Sequence, residues 1–540
     1  MAINNIYTDG IASGWKVHDA STFKANRSFE ADVAIVGTGA GGGTAAEILS
    51  LAGLKVLLLE EGPLKTSDSF KDMDESRAYA DLYQEGGARA SSDGAVAILQ
   101  GRSVGGSTTV NWTSSFRTPP GTLKQWADVH GVKGASVEEM APWFARMEQR
   151  LGIAPWAQAP NANNAVLKRA GEKLGWDVRV IPRNVRGCWN SGYCGYGCPV
   201  NAKQSMLVST IPEALRHGAE LVHRLRVQRL QFSRGKVDGL VAQAMDAECI
   251  APTGIEVQIR ARHYIMAGGA INTPALLLRS DAPDPHGRLG KRTCIHPVNL
   301  VLAQMPERID GFYGAPQSEH SDQFQWNGDF SRHPGYKLEI APTYPALTST
   351  IFTAYGPALA ADQAQLPYTS PMLALLRDGF HPDSPGGEIR VDEDGRPLLD
   401  YGISDYLWRG FKQAFLTMAE GQFAAGAKRV LPSHLDGRWS DSWADAKAQI
   451  ETLPYKKFRL SVFTAHLMGG CAMGEDPKQA VVSSLGRHHQ VENLSVMDGS
   501  VFPTSIGANP QLSVYGLVCK NATQLVSELT GAAAAGSKPA

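Results

Sequence analysis

The segment from Asp32 to Glu60 constrains the fold more than any other part of this chain. An apolar run, Asp32-Val33-Ala34-Ile35-Val36, leads into Gly37-Thr38-Gly39-Ala40-Gly41-Gly42. Residues 44–51 then continue as a helix that Gly53 can end in a left-handed conformation. A second apolar run, Lys55-Val56-Leu57-Leu58-Leu59, stops at Glu60. Two uninterrupted apolar strands joined through a helix predict parallel pairing in a sheet covered on both faces. Gly37, Gly39 and Gly42 fit the G-x-G-x-x-G spacing. The first makes the tight turn, the second lets a pyrophosphate approach the backbone, and the third packs helix on strand. A phosphate there meets the positive end of the helix, and Glu60 can accept hydrogen bonds from ribose hydroxyls, with neighbouring Glu61 as the alternative. The turn predicts a bound dinucleotide without distinguishing FAD from NAD.

At 540 residues the chain exceeds one compact core, so two or three lobes are expected. Residues 1–28 read as a leading arm. Residues 29–293 and 455–530 read as a discontinuous, Rossmann-like α/β cofactor domain. Between them, residues 294–454, richer in proline, aromatics and irregular stretches, read as an inserted α+β substrate domain, and 531–540 as a flexible tail. Short alternating strands begin around Val227. A formal net charge of -1 with 19% charged residues excludes a nucleic-acid partner. The N-terminus has no export signal and no apolar run reaches the roughly 20 residues of a membrane span, so a cytoplasmic location is expected. Peripheral contact with a membrane, or a membrane-bound partner, stays open. Seven cysteines, an odd number, argue against a disulfide framework.

Gly101-Arg102-Ser103-Val104-Gly105-Gly106-Ser107-Thr108-Thr109-Val110-Asn111 resembles the first signature of the glucose-methanol-choline oxidoreductases, a family of FAD enzymes. A second family stretch runs from Gly269 to Ser280 and departs at Asp281, where the family usually has glycine. A third comprises His466 to Gly474, Val496-Met497-Asp498-Gly499-Ser500 and Asn509-Pro510. The resemblance implies FAD as the cofactor, contacted by Gly101, Gly105, Gly106, Asn111, Val227 and Asp498 in addition to Gly37, Gly39, Gly42 and Glu60. Gly105-Gly106 would let backbone approach a flat ring without a Cβ in the way. It further implies oxidation of an alcohol to an aldehyde or ketone, with hydride passing to flavin N5. By motif position His466 assists removal of the hydroxyl proton, which a neutral imidazole can accept, and Asn509 orients the oxygen. Asn509-Pro510 before the apolar positions 512, 515, 518, 522 and 525 also reads as a helix start, with Asn509 as N-cap. His296, before a proline, and His488-His489 read as structural or solvated. The alternatives are a redox-neutral relative, of lyase or photodecarboxylase type, and an electron-relay subunit.

Cys188, Cys194 and Cys198 lie in a loop rich in glycine and closed by Pro199. Thiolates are iron–sulfur ligands, and the spacing resembles the three-cysteine motif in flavin subunits of bacterial glucose and fructose dehydrogenases, which implies a cluster. The same stretch, with Ala202-Lys203-Gln204-Ser205 after it, also resembles long-chain alcohol oxidases, which implies none. Free thiols, or one disulfide and a spare thiol, complete the alternatives; zinc lacks a fourth ligand nearby. The second resemblance and the apolar inserted lobe favour a hydrophobic primary alcohol or sterol over a sugar. Oxygen, a quinone or a cytochrome-bearing partner are all compatible electron acceptors.

Overall fold

The computed structural model describes residues 3–531, so the tail from 532 onward lies outside the described residues. The glycine-turn unit forms as its pattern predicts. Arg27–Val36 pairs in parallel with Val56–Leu59, and the helix between them spans Ala40–Leu51. That helix starts four residues before the predicted Thr44 and stops ahead of Gly53, which is left-handed at φ 83°. Around this pair an eight-stranded sheet runs in the order Lys16–Asp19, Glu220–His223, Val56–Leu59, Arg27–Val36, Pro252–Met266, Lys236–Met245, Leu225–Ser233, with Leu494–Val496 also beside Pro252–Met266. The last three strands of that order are antiparallel to one another, and the C-terminal strand 494–496 joins in parallel. The cofactor sheet is therefore discontinuous in sequence, as expected.

The predicted domain boundaries need three corrections. The leading arm is not a separate segment, because Lys16–Asp19 pairs in parallel with Glu220–His223 at the edge of the first sheet. Val96–Ile98 and Val178–Val180, both inside 29–293, belong to a second eight-stranded sheet. So does Val462–Thr464, from the C-terminal segment. These strands have three or four residues, too few to show a period, and only their hydrogen-bonding partners assign them.

The second sheet runs Val96–Ile98, Val462–Thr464, Val298–Gln304, Thr369–Leu376, Tyr336–Ile340, Glu319–Ser321, Val178–Val180, with Arg429–Pro432 also beside Val298–Gln304. Its two faces differ. Leu338, Ile340, Met372, Ala374 and Val301 pack under the long helix Asp405–Ala424, against Phe411 and Phe415. The other face alternates with them: Val298, Leu300, Leu302, Leu373 and Leu375 form an apolar cluster with Phe352, while Lys337 and Glu339 project from the neighbouring strand on that same face. At Asp281, where the resemblance expects glycine, the backbone is left-handed at φ 52°. The loop keeps the glycine conformation with an aspartate in it, a substitution that Asp tolerates better than most residues.

Candidate active site

Two glycine loops meet at the carboxyl end of the first strand. A Cβ on Gly42 would lie 1.9 Å from the Gly37 carbonyl oxygen, and one on Gly106 would lie 2.8 Å from the Gly39 α-carbon. Gly105 N–H donates to Thr38 Oγ1 at 3.0 Å, locking the loops together. The helix at Ala40 has Gly39 as N-cap and no side-chain cap, so its first N–H groups face the cradle between the loops, as a pyrophosphate requires. Glu60 sits at the strand end, and burial pushes its carboxyl up to about 7. Its Oε2 accepts from Thr38 N–H and Oγ1 (3.1 and 2.6 Å) and its Oε1 from Gly62 N–H (2.9 Å). Oε1 keeps a lone pair for a ribose hydroxyl. Glu61 instead accepts from Gln84 and Arg226; burial pushes its carboxyl up, but these partners and Arg102 outweigh that and hold it low. The residues present fit FAD.

The other residues predicted to hold the cofactor are committed within the chain. Asp498 accepts from Gly269 N–H and Thr273 Oγ1 with one oxygen and from Ser500 with the other, tying the C-terminal segment to the start of helix Gly269–Arg279. Asn111 Nδ2 donates to Gln511 Oε1 at 2.8 Å. Gly101 lies against Ser107, whose α-carbon a Cβ would meet at 2.7 Å. Val227 is buried in an antiparallel strand, and its carbonyl accepts from Arg279.

His466, partly buried, and Asn509, buried, each make polar contacts with a buried side chain, His296 and Glu339 respectively. Asn509 does not cap the C-terminal helix: the helix spans Gln511–Thr530 with Pro510 at the capping position, and Asn509 Nδ2 donates to Glu339 Oε2 at 3.2 Å. Glu339 is 0% exposed. Its Oε2 also accepts from Gln317 Nε2 at 2.8 Å, whereas Glu339 Oε1 and Asn509 Oδ1 are both buried without a partner. Burial pushes the Glu339 carboxyl up to about 7, against the pull of Lys337. Lys337 is itself buried and donates to His320 Nδ1 and Asp322 Oδ1, both at 2.8 Å, beside the Phe116 ring. On the other side, His466 Nδ1 lies 3.4 Å from His296 Nδ1. Burial, then the Lys337 charge, lowers His466 to about 4, so its ring is neutral in the resting protein.

His296, read from sequence as structural or solvated, is 1% exposed and directly against His466. Its backbone is left-handed at φ 44° ahead of Pro297, a conformation a histidine holds only when its surroundings impose it. Asp378 imposes it by accepting from Ile295 N–H and His296 N–H (2.9 and 3.1 Å), while Tyr401 donates to the same carboxylate. Sequence reasoning also passed over Lys337 and Glu339. Their signal was available: two charged residues two apart in Tyr336-Lys337-Leu338-Glu339-Ile340, on one face of an otherwise apolar strand.

Cys188, Cys194 and Cys198 line one small cavity with Arg183, Tyr193 and Lys203. Lys203 is buried and donates to the carbonyls of Thr109, Asn111 and Cys194 (2.8, 2.7 and 2.6 Å), which ties this loop to the Gly101–Asn111 loop. Among the described residues no group of three or more His, Cys, Asp or Glu side chains is arranged to hold a metal ion. The thiols are free and share a cavity without forming a ligand set, so the arrangement does not fit the iron–sulfur expectation. No helix among the described residues is long and apolar enough to cross a membrane.

A family model described as GMC oxidoreductase matches the chain in its N-terminal part over residues 79–298 and in its C-terminal part over residues 382–517. An uncharacterized GMC-type oxidoreductase of Sinorhizobium fredii is 29% identical over 502 residues, covering 92% of this chain and 95% of that protein. One of Mycobacterium tuberculosis is 30% identical over 503 residues, covering 93% and 76%. A long-chain-alcohol oxidase of Arabidopsis thaliana is 29% identical over 509 residues, covering 90% and 67%. Among solved structures, pyridoxine 4-oxidase from Mesorbium loti superposes with a TM-score of 0.65 at 19% identity, covering 91% and 98%. Formate oxidase from Aspergillus oryzae does so at 0.67 and 15%, covering 94% and 99%. Both share the fold.

Proposed function

We propose, because this chain belongs to the GMC oxidoreductase family, that it oxidises an alcohol to the aldehyde or ketone with FAD as its cofactor. The observation that carries this reading is that His466 meets His296, whose Nε2 accepts from Gly507 N–H two residues before Asn509, while Asn509 itself meets buried Glu339, so that His466 and Asn509, 43 positions apart by their numbers, both enter buried polar contacts. Bound FAD supplies the two-electron acceptor for the carbon-bound hydrogen. The chain's own part is to hold the hydroxyl oxygen between His466 and Asn509, to assist loss of its proton at the His466 side, and to exclude water from the site.

The apolar cluster of Leu300, Leu302, Leu373, Leu375 and Phe352 on the same face supports a hydrophobic primary alcohol as substrate, as do relatives named long-chain-alcohol oxidases. Those relatives and the two oxidases that share the fold support oxygen as the electron acceptor. Anaerobic addition of 1-alkanols of increasing length to the FAD-loaded protein tests the reading. Flavin absorbance is expected to bleach, more readily with longer chains, and readmitted oxygen to restore it with release of hydrogen peroxide. A flavin that no alcohol bleaches would overturn it.

A further inference from the structure

We propose that Arg377 is an anion subsite beside the candidate active site, and that the alcohol this protein oxidises carries a carboxylate at the end remote from its hydroxyl. This rests on the alcohol-oxidation reading above and narrows its substrate class to hydroxycarboxylates with an apolar chain.

Arg377 continues the face of the second sheet that carries the site. Leu373 and Leu375 alternate onto that face, paired with Glu339 and Lys337. Beyond the strand end at Leu376, Arg377 N–H still donates to the Gly335 carbonyl at 2.9 Å, so Arg377 takes the next place in the same row. Leu373, opposite the Glu339 that Asn509 meets, precedes Arg377 by four residues, about 13 Å of extended strand. Trp326 joins the two ends a second way. Its ring lies 4.1 Å from the Arg377 guanidinium, and a Cβ on Gly507 would come 3.1 Å from it; Gly507 N–H in turn donates to His296, which meets His466. Asp378, the residue after Arg377, fixes the His296 backbone. Burial first, and then His466, Lys337 and Arg377, hold the His296 ring neutral, so the guanidinium is near enough to act on the site electrostatically.

The guanidinium lacks what the other buried cations have. Among the described residues five lysines and arginines are buried: Arg89, Arg183, Lys203, Lys337 and Arg377. Arg89 pairs with Glu85, Arg183 donates to Thr113, Lys203 to three carbonyls and Lys337 to Asp322. Arg377, 8% exposed, has no carboxylate and no hydrogen-bond acceptor for its side chain among the described residues. It has only rings, with Phe380 and Phe330 at 4.5 and 5.0 Å beside Trp326. Rings offset part of a cation's desolvation but offer no lone pairs to its N–H fork. Burial lowers its pKa to about 10, so it stays charged at neutral pH. None of its nitrogens is fully sealed in, and the neighbouring residues 327–329 are exposed, which leaves an arriving anion a way to them. A buried charge without a partner is costly. A carboxylate removes that cost best, because its two oxygens match the fork. The leucines of the same row give the chain between carboxylate and hydroxyl an apolar wall.

The test uses the FAD-loaded full chain and ω-hydroxyalkanoates of about 6 to 12 carbons, bracketing the strand span, each beside its uncharged methyl ester. In anaerobic flavin reduction the acid is expected to half-saturate at about 30-fold lower concentration than the ester. In Arg377→Met that ratio is expected to fall to about threefold or less, with Arg377→Lys, which keeps the charge but not the fork, in between. One readout stands apart from turnover: the alkanoate without a hydroxyl should bind wild type, read by calorimetry, and bind Arg377→Met at least about tenfold more weakly. Acid and ester half-saturating alike in wild type overturn the proposal, as does an Arg377→Met that keeps the preference for the acid. Should Arg377→Met not fold, Arg377→Lys and the wild-type comparison of acid with ester decide. Should no alcohol reduce the flavin, the alcohol reading fails, while alkanoate binding still decides the subsite: equal binding to wild type and variant removes it.

Discussion

Gly39 and Gly42 occupy the same turn but answer to different constraints, and substitution separates them. A Cβ on Gly42 would collide with the Gly37 carbonyl at 1.9 Å, inside the chain itself, whereas a Cβ on Gly39 would meet nothing nearer than the Gly106 α-carbon at 3.8 Å. Gly42→Ala is therefore expected to yield protein that is unstable with or without FAD. Gly39→Ala is expected to melt like wild type as apoprotein and yet to bind FAD at least tenfold more weakly, read by fluorescence titration. Equal losses in both states for Gly39→Ala would remove the cofactor from that space. The glycine requirement was legible in sequence because it is local: three spacings and a helix start. The pairing of His466 with His296 was not, because it joins residues 170 positions apart and depends on a left-handed histidine that only Asp378 explains.

Between elements, the chain uses buried polar groups as ties. Lys203 spans from the cysteine loop to the Gly101–Asn111 loop through three carbonyls. Replacing it with methionine keeps the bulk but leaves those acceptors without a donor, so Lys203→Met is expected to cost about 3–5 kcal/mol, seen as a lowered denaturation midpoint. The cysteine loop itself is the accessible one. Cys188, Cys194 and Cys198 are partly exposed and the other four cysteines are buried, so a thiol reagent is expected to titrate about three thiols in the native protein and seven after unfolding. At Asp281 the left-handed backbone costs an aspartate something that glycine would not incur. Asp281→Gly is expected to raise stability by up to about 1 kcal/mol, offset in part by the freer unfolded chain; a fall in melting temperature would contradict this.

Across the whole molecule, each sheet draws strands from distant stretches of chain, and segments 96–98, 178–180 and 462–464 cross from the cofactor-binding stretches into the second sheet. Limited proteolysis is therefore expected to yield no separately folded substrate lobe, and FAD, bound only by the native state, to raise a single melting transition. A stable fragment of residues 294–454 would contradict it. What the sequence determined by itself was everything that short-range pattern encodes: the strand–turn–helix–strand unit, the glycines it needs, the ordered family signatures, and with them the kind of cofactor. Tertiary structure alone decided which short strands joined which sheet, that the three thiols share a cavity without a metal-ligand arrangement, and that Asn509 turns to Glu339, 170 positions away, instead of capping its own helix. The reason is physical. A local period reports which face of an element is apolar, but the partner of a buried polar group is set by which faces meet, and that is fixed only when the two sheets pack together.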